Sequence, residues 1–237
     1  MLRALLLYLS SAGWAKTLIT HFFLARRVAR RFVAGETLED ALRTVKNLNA
    51  EGLGVTLDYL GESVHSEADA ARAVDEYLEI LEAIQREGLA ATVSLKLTQL
   101  GLDISTDVCL ANMRRILEQA RATANHVTID MESTAYTDRT LQVFRALHHD
   151  LHQDLHQEVG FTNVGTVIQA YLYRSEHDMT ALHAEGAFVR LCKGAYKEPP
   201  EVAFPIKSDV DANYVRLMQA YLGGEETGAY QIGRAHV

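Results

Sequence analysis

One pattern constrains this chain more than any other. A short β-branched run ends in a polar residue, a capped helix-periodic stretch follows, and the pair recurs five times. The runs are 55–58, ending in Asp58; 91–95, followed by Lys96; 126–129, followed by Asp130; 164–168, followed by Gln169; and 187–192, followed by Lys193. The first is preceded by a helix predicted from Thr37 to about Asn49, with Leu38, Ala41, Leu42 and Val45 on one face. Ser66 and Gly88 bound a predicted helix over 67–87, and Ser105 opens another that runs to about Thr123. Further helices are predicted from Thr137 to about His149, from Ser175 onward, and from Lys207 to about Leu222.

Strand–helix units at this regularity imply parallel strands joined by right-handed crossovers, an α/β fold. Two architectures share the pattern, the doubly wound sheet and the (βα)8 TIM-type barrel. The first strand–helix turn, TLDYLGES, has one glycine and no G-x-G-x-x-G, which argues against a dinucleotide-binding sheet. Polar residues of complementary charge at successive strand ends, Asp58, Lys96, Asp130, Gln169 and Lys193, suit a barrel mouth, where such ends converge. Only five units are present, so the barrel is expected to be incomplete. The expected organisation is an N-terminal helical arm over 1–50, a partial barrel over 51–230 and a non-native tail over 231–237.

Charge narrows the partners. The net charge of −8 makes non-specific nucleic-acid binding a poor fit. It is unevenly spread, because residues 1–33 carry six cations and no acid. Two readings of that stretch stand: a helical arm with solvated arginines, or a basic amphipathic contact with an anionic membrane surface through Phe22, Phe23 and the ARRVARR run. Its apolar start is broken by Ser10 and Ser11 and lacks an Ala-x-Ala site, which disfavours a cleaved signal. No run approaches eighteen apolar residues, so no spanning helix is expected. Cys109 and Cys192 read as reduced core thiols, and the expected location is cytoplasmic, with peripheral contact at the inner membrane face as the variant reading.

From the residues alone the chemistry stays open. Lysines at strand ends suit Schiff-base catalysis, in which a desolvated amine attacks a carbonyl. Lys96 equally suits an ion pair with Asp130 on the neighbouring strand. His148, His149, His152 and His156 have spacings that could share a helix face and bind a metal. However, the duplicated DLHQ at 150–157 reads more as a polar surface repeat.

Five segments then carry a resemblance: GVTLDYLGE, VSLKLTQLG, VTIDME, VIQAYLYR and VRLCKGAYKEP, in that order and at suitable spacing. Together they resemble the proline dehydrogenase family, closest to its monofunctional bacterial type. The resemblance implies a (βα)8 barrel with FAD across the strand ends. It also implies oxidation of L-proline to 1-pyrroline-5-carboxylate, with electrons leaving to a membrane quinone. By position in the motifs, Lys96 matches the lysine that meets the substrate carboxylate, and Asp130 the active-site aspartate beside it. Met131 and Gln169 match flavin contacts, Arg190 the arginine near the flavin's reactive nitrogen, and Lys193, Gly194 and Ala195 the backbone turn that holds the cofactor. The sixth-strand Ala-Thr-His segment and the paired arginines of the last helix have no counterpart here. Residues 231–237, QIGRAHV, show no helix or strand logic and fit a translated sequencing adaptor. The expectation is a C-terminally truncated chain that is itself inactive. A Schiff-base lyase, a metal-dependent hydrolase and a non-catalytic fragment are the alternatives.

Overall fold

The computed structural model describes residues 37–61, 64–148, 160–222 and 231–232. The chain divides into two units, 1–55 and 56–237. In the first, helix α1 (Leu38–Ala50) starts where Thr37 Oγ1 accepts the Asp40 N–H, and Leu42 and Val45 are buried. The expected basic stretch at 1–33 lies outside the described residues, as do His149, His152 and His156.

Strand β1 (Val55–Asp58) leads into the second unit. There follow α2 (Glu67–Glu87), β2 (Ala91–Leu95), a 3-10 turn (Leu97–Leu100), α3 (Thr106–Ala122), β3 (Val127–Ile129) and α4 (Thr134–His148). The remainder is β4 (Val164–Gln169), α5 (Ser175–Ala184), β5 (Phe188–Cys192), α6 (Lys207–Leu222) and β6 (Gln231–Ile232). The strands form one sheet in sequence order, with parallel ladders from β2 through β6. This is part of a (βα)8 barrel: sequential parallel strands, each of the first five followed by a helix.

The core lies between sheet and helices. Val74, Tyr77, Leu81 and Ile84 of α2, Met113, Ile116 and Leu117 of α3, and Leu141, Phe144 and Leu147 of α4 are buried, as are Val93, Leu95, Val127 and Ile129 of the strands. Each such large apolar side chain contributes roughly 1.5–3 kcal/mol by leaving water. At Gly165 the neighbours come too close for a side chain. A Cβ there would lie 2.6 Å from Phe188 Cδ1 and 2.9 Å from His126 Nε2. The His126 and Phe188 rings sit 4.4 Å apart at their centroids, and burial, aided by the Arg190 charge, lowers the His126 pKa to about 4.

Register sets the level of the strand ends. Ile129 pairs with Thr166, and Val167 pairs with Arg190. Asp130, one step past Ile129, is therefore level with Val167 and with Arg190 beyond it. Side chains alternate along each strand, so the Asp130 and Arg190 side chains meet past the intervening strand. Their ion pair confirms it at 3.0 Å.

The start of α4 and the presence of β6 differ from the sequence reading. Helix α4 begins at Thr134 rather than Thr137, because the Glu198 carboxylate accepts the Thr134 N–H at 2.8 Å and its hydroxyl at 2.6 Å. A distant carboxylate thus takes the place of a local cap. The other difference is β6: Gln231 and Ile232 pair in parallel with Arg190 and Leu191, where no strand was expected. Parallel pairing uses only backbone groups, so the edge of β5 can recruit a segment with little strand propensity of its own.

Candidate active site

The carboxyl ends of β1, β2, β3 and β5 bring four charged groups into a line. Lys96 Nζ lies 3.1 Å from Asp58 Oδ2 and 4.0 Å from Asp130 Oδ2. Arg190 Nη1 donates to Asp130 Oδ1 at 3.0 Å, while its Nη2 reaches Thr56 Oγ1 at 3.4 Å. The order is acid, base, acid, base. The side chains of Lys96 and Arg190 are 16% and 14% exposed, so both cations act with limited screening by water. The anticipated ion pair of Lys96 with Asp130 is present but long. Asp58 is nearer, since it hangs from the end of the preceding strand, and Asp130 turns its other oxygen to Arg190.

Burial pushes the Asp130 pKa up to about 6, against the pull of Arg190 and Lys96 in the other direction. Asp58 is steadied from behind by α2, where the buried Tyr77 hydroxyl lies 3.3 Å from Asp58 Oδ1 and 3.0 Å from Gln99 Oε1. Burial first, and the Asp58 charge second, raise the Tyr77 pKa and hold it as a donor. Gln99 Nε2 in turn donates to Tyr59 O at 3.1 Å.

Around this line sit the other residues singled out in the sequence. Met131 is buried, and its carbonyl accepts from Gln169 Nε2 at 3.0 Å. Gln169 is 3% exposed, and its Oε1 has no hydrogen-bond partner among the described residues. A buried acceptor left without a donor is costly. Past β5 the chain turns at Gly194, whose φ is +104°; a Cβ there would fall 2.3 Å from the Tyr171 ring. Only glycine suits both the backbone angle and the close approach. Ala170 N–H donates to Cys192 O and Tyr171 N–H to Lys193 O, which ties this turn to the end of β4. Ala195 is exposed on the turn. The Lys193 side chain leaves the line of charges, pairing with Asp211 and standing 5.7 Å from the centre of the Tyr214 ring. Burial raises the Cys192 thiol to about 11 and the Cys109 thiol to about 12, which leaves both inert as nucleophiles near neutral pH.

The structure brings together Lys96, Asp130 and Arg190. It seats Met131 and Gln169 beside them and leaves only the backbone of Lys193 near the turn. Sequence reasoning noted Asp58 as a strand end without giving it a role. It missed Tyr77, Thr56 and Glu198, none of which has a local signal. Glu132, inside VTIDME, also passed unremarked. Among the described residues, no group of three or more His, Cys, Asp or Glu side chains is placed to hold a metal. His148 instead contacts Phe161 O and Glu185 O through its two ring nitrogens.

A partial (βα)8 barrel with charged residues converging on its strand ends defines an α/β-barrel enzyme domain. Comparison with known proteins makes it more particular. The proline dehydrogenase family model matches residues 41–235, and the chain belongs to that family, whose members are oxidoreductases. It is 42% identical to proline dehydrogenase 1 of Bacillus subtilis (strain 168) over 222 residues, covering 94% of this chain and 70% of the relative. It is 39% identical to the proline dehydrogenase of Deinococcus radiodurans over 198 residues, which cover 82% of this chain and 61% of that one. The crystal structure of proline utilization A (PutA) from Bdellovibrio bacteriovorus inactivated by N-propargylglycine superposes with a TM-score of 0.73 at 25% identity, covering 84% of this chain and 24% of that one.

Proposed function

We propose that the protein oxidises L-proline to 1-pyrroline-5-carboxylate with FAD as bound cofactor and a membrane quinone as electron acceptor. The observation that carries this reading is the alternating line Asp58, Lys96, Asp130 and Arg190 at the strand ends, whose cations can bind the carboxylate of an amino acid. The relatives' names point to the same substrate.

The residues fit FAD on one structural ground: the orphaned, buried Gln169 Oε1 asks for a donor, and a flavin ring carries an N–H. Met131, Gln169 and the Lys193–Gly194–Ala195 backbone would hold the cofactor, with Arg190 beside it. When bound, FAD supplies two-electron, hydride-accepting chemistry that no side chain offers. The chain's own groups do the rest. Lys96 meets the substrate carboxylate, exchanging part of its hold on Asp58 for a charge-assisted hydrogen bond to the ligand. Asp130, ionised above pH about 6, orients Arg190 and balances its charge. Arg190 makes the site favourable to negative charge. The substrate loses a hydride from the ring carbon beside nitrogen and a proton from nitrogen, leaving a C=N bond; its amine must enter neutral.

Delivery of electrons to a membrane quinone calls for contact with a membrane face, for which the basic stretch at 1–33 is suited by charge. The proposed location is cytoplasmic and peripheral. Among the described residues no helix is long and apolar enough to cross a membrane. A visible absorption spectrum of a protein of the relatives' full length tests the reading. Flavin bands that bleach anaerobically on adding L-proline are the expected result. Borohydride-dependent trapping of a substrate on Lys96, with no flavin bands, would overturn it in favour of a Schiff-base lyase.

A further inference from the structure

Two glutamates outside the line of charges repeat one arrangement. Glu132, just past the end of β3, accepts the Thr98 N–H at 3.2 Å through Oε1 and the Thr98 hydroxyl at 2.7 Å through Oε2. Glu198, in the segment after β5, accepts the Thr134 N–H at 2.8 Å and the Thr134 hydroxyl at 2.6 Å in the same way. Each carboxylate thus closes on both donors of one threonine. Thr98 stands two residues after Lys96, in the 3-10 turn that Lys96 opens. Thr134 opens α4, two residues after Glu132 and four after Asp130. Glu198 follows the Lys193–Gly194–Ala195 turn by three residues. The clamps therefore run in series: the Lys96 turn to Glu132, the short link to Thr134, and Thr134 to Glu198.

We propose that Glu132 and Glu198 are positioning residues that clamp, in series, the three loops carrying Lys96, Asp130 and the Gly194 turn, so that the substrate side and the cofactor side of the mouth hold one spacing. The link to substrate and cofactor rests on the function proposed above; the clamps themselves do not.

Three physical points support the series. Glu132 is 4% exposed and Thr98 is fully buried, so that clamp is made away from water, where its hydrogen bonds count for more than at the surface. Glu198 supplies an acceptor to the first N–H of α4, one of the donors that a helix start leaves unpaired, and a carboxylate also complements the helix dipole there. The Gly194 turn is already tied on its other side, where Tyr171 N–H donates to Lys193 O and Phe204 N–H to Tyr171 O. Glu198 ties the segment after that turn to the start of α4. A displacement at Glu198 must then move Thr134, and with it Glu132 and Thr98, because this is a contiguous chain of packed and hydrogen-bonded groups.

The test uses a protein of the relatives' full length and the variants Thr134→Val, Glu198→Ala, their combination, and Thr134→Ser, which keeps the hydroxyl. Amide hydrogen exchange without added FAD reads the clamps directly. Glu198→Ala and Thr134→Val should raise exchange about tenfold both at 193–206 and at 97–100, the second a segment that neither side chain touches. The combination should be no worse than either single change, and Thr134→Ser should behave as wild type. If Glu198→Ala does not fold, Glu198→Gln takes its place, with a smaller rise expected at both segments. With FAD present, the same variants should weaken flavin binding about tenfold and raise the KM for proline more than they lower kcat. Exchange at 97–100 unchanged within about twofold, or additive losses in the combination, would overturn the series of clamps. A wild type that takes up no flavin would instead count against the function, while the exchange data still decide on the clamps.

Discussion

Lys96 sits where a lost cation should show most plainly in substrate affinity. In a protein of the relatives' full length, Lys96→Met leaves the substrate carboxylate without a charge-assisted hydrogen bond of about 1.5–3 kcal/mol. That corresponds to a rise in the KM for proline of roughly ten- to a hundredfold, with flavin still bound, measured by steady-state kinetics and the visible spectrum. Flavin loss at unchanged KM would show Lys96 to be structural. Asp130 gives a second prediction, in pH. Its folded pKa of about 6 lies above the ordinary 3.8, so the folded state holds this proton more tightly than the unfolded chain does. The contribution is stabilising at pH below about 4 and is lost as pH rises through about 6. Subtracting the melting curve of Asp130→Asn from that of wild type should leave a difference in Tm that falls between those limits; a flat difference would refute the raised pKa. Lys96, Asp130, Gln169 and Arg190 were legible in the sequence because each closes or lies within a strand of marked motif. That Asp58 is the nearer partner of Lys96 was not legible. The choice depends on how far each side chain leans, not on spacing.

Element boundaries were legible wherever the cap is local. Ser66 and Ser105 accept N–H groups two or three residues on, and the helices start where those serines predict. The start of helix α4 was misplaced by three residues because its first N–H is satisfied by Glu198, 64 residues away, and no window of sequence contains both partners. The 3-10 turn after Lys96 was missed for a similar reason: Glu132, from the next strand end, holds Thr98 in place. Strand packing supplies the prediction at this scale. Gly165→Ala puts a methyl group 2.8 Å from the Phe188 carbonyl and 2.6 Å from its ring. The carbonyl belongs to the paired strand β5 and can give little, so β4 and β5 must part. Overpacking of this kind costs about 1–3 kcal/mol. The urea midpoint should fall accordingly with little change in slope; an unchanged midpoint would mean that the sheet yields more readily than its register implies.

At the scale of the whole molecule, the parallel order of the strands followed from alternation alone, because a strand, a helix and a second strand in one sheet leave one common handedness. What alternation could not reveal was β6, since its two residues are held by the backbone of Arg190 and Leu191 rather than by any preference of their own. That short strand bears on how the 237 residues behave as a polypeptide by themselves. Among the described residues β1 is paired only on its β2 side, and β6 only on its β5 side. Next to β1, Tyr59 and Leu60 are 38% and 72% exposed. Unpaired strand edges beside apolar side chains invite pairing with another copy, which closed barrels avoid by having no edges. Two residues of β6 shield little of β5. On the proposed function, the mouth these strands supply would meet flavin through β3, β4 and β5 alone, so its grip should be weak. Expressed alone, the 237 residues should associate in a concentration-dependent way by light scattering and purify without colour. Added FAD should neither be retained through gel filtration nor suppress the association. A yellow monomer that reduces a dye with L-proline would show that six strands suffice, and that the open edges are covered in solution.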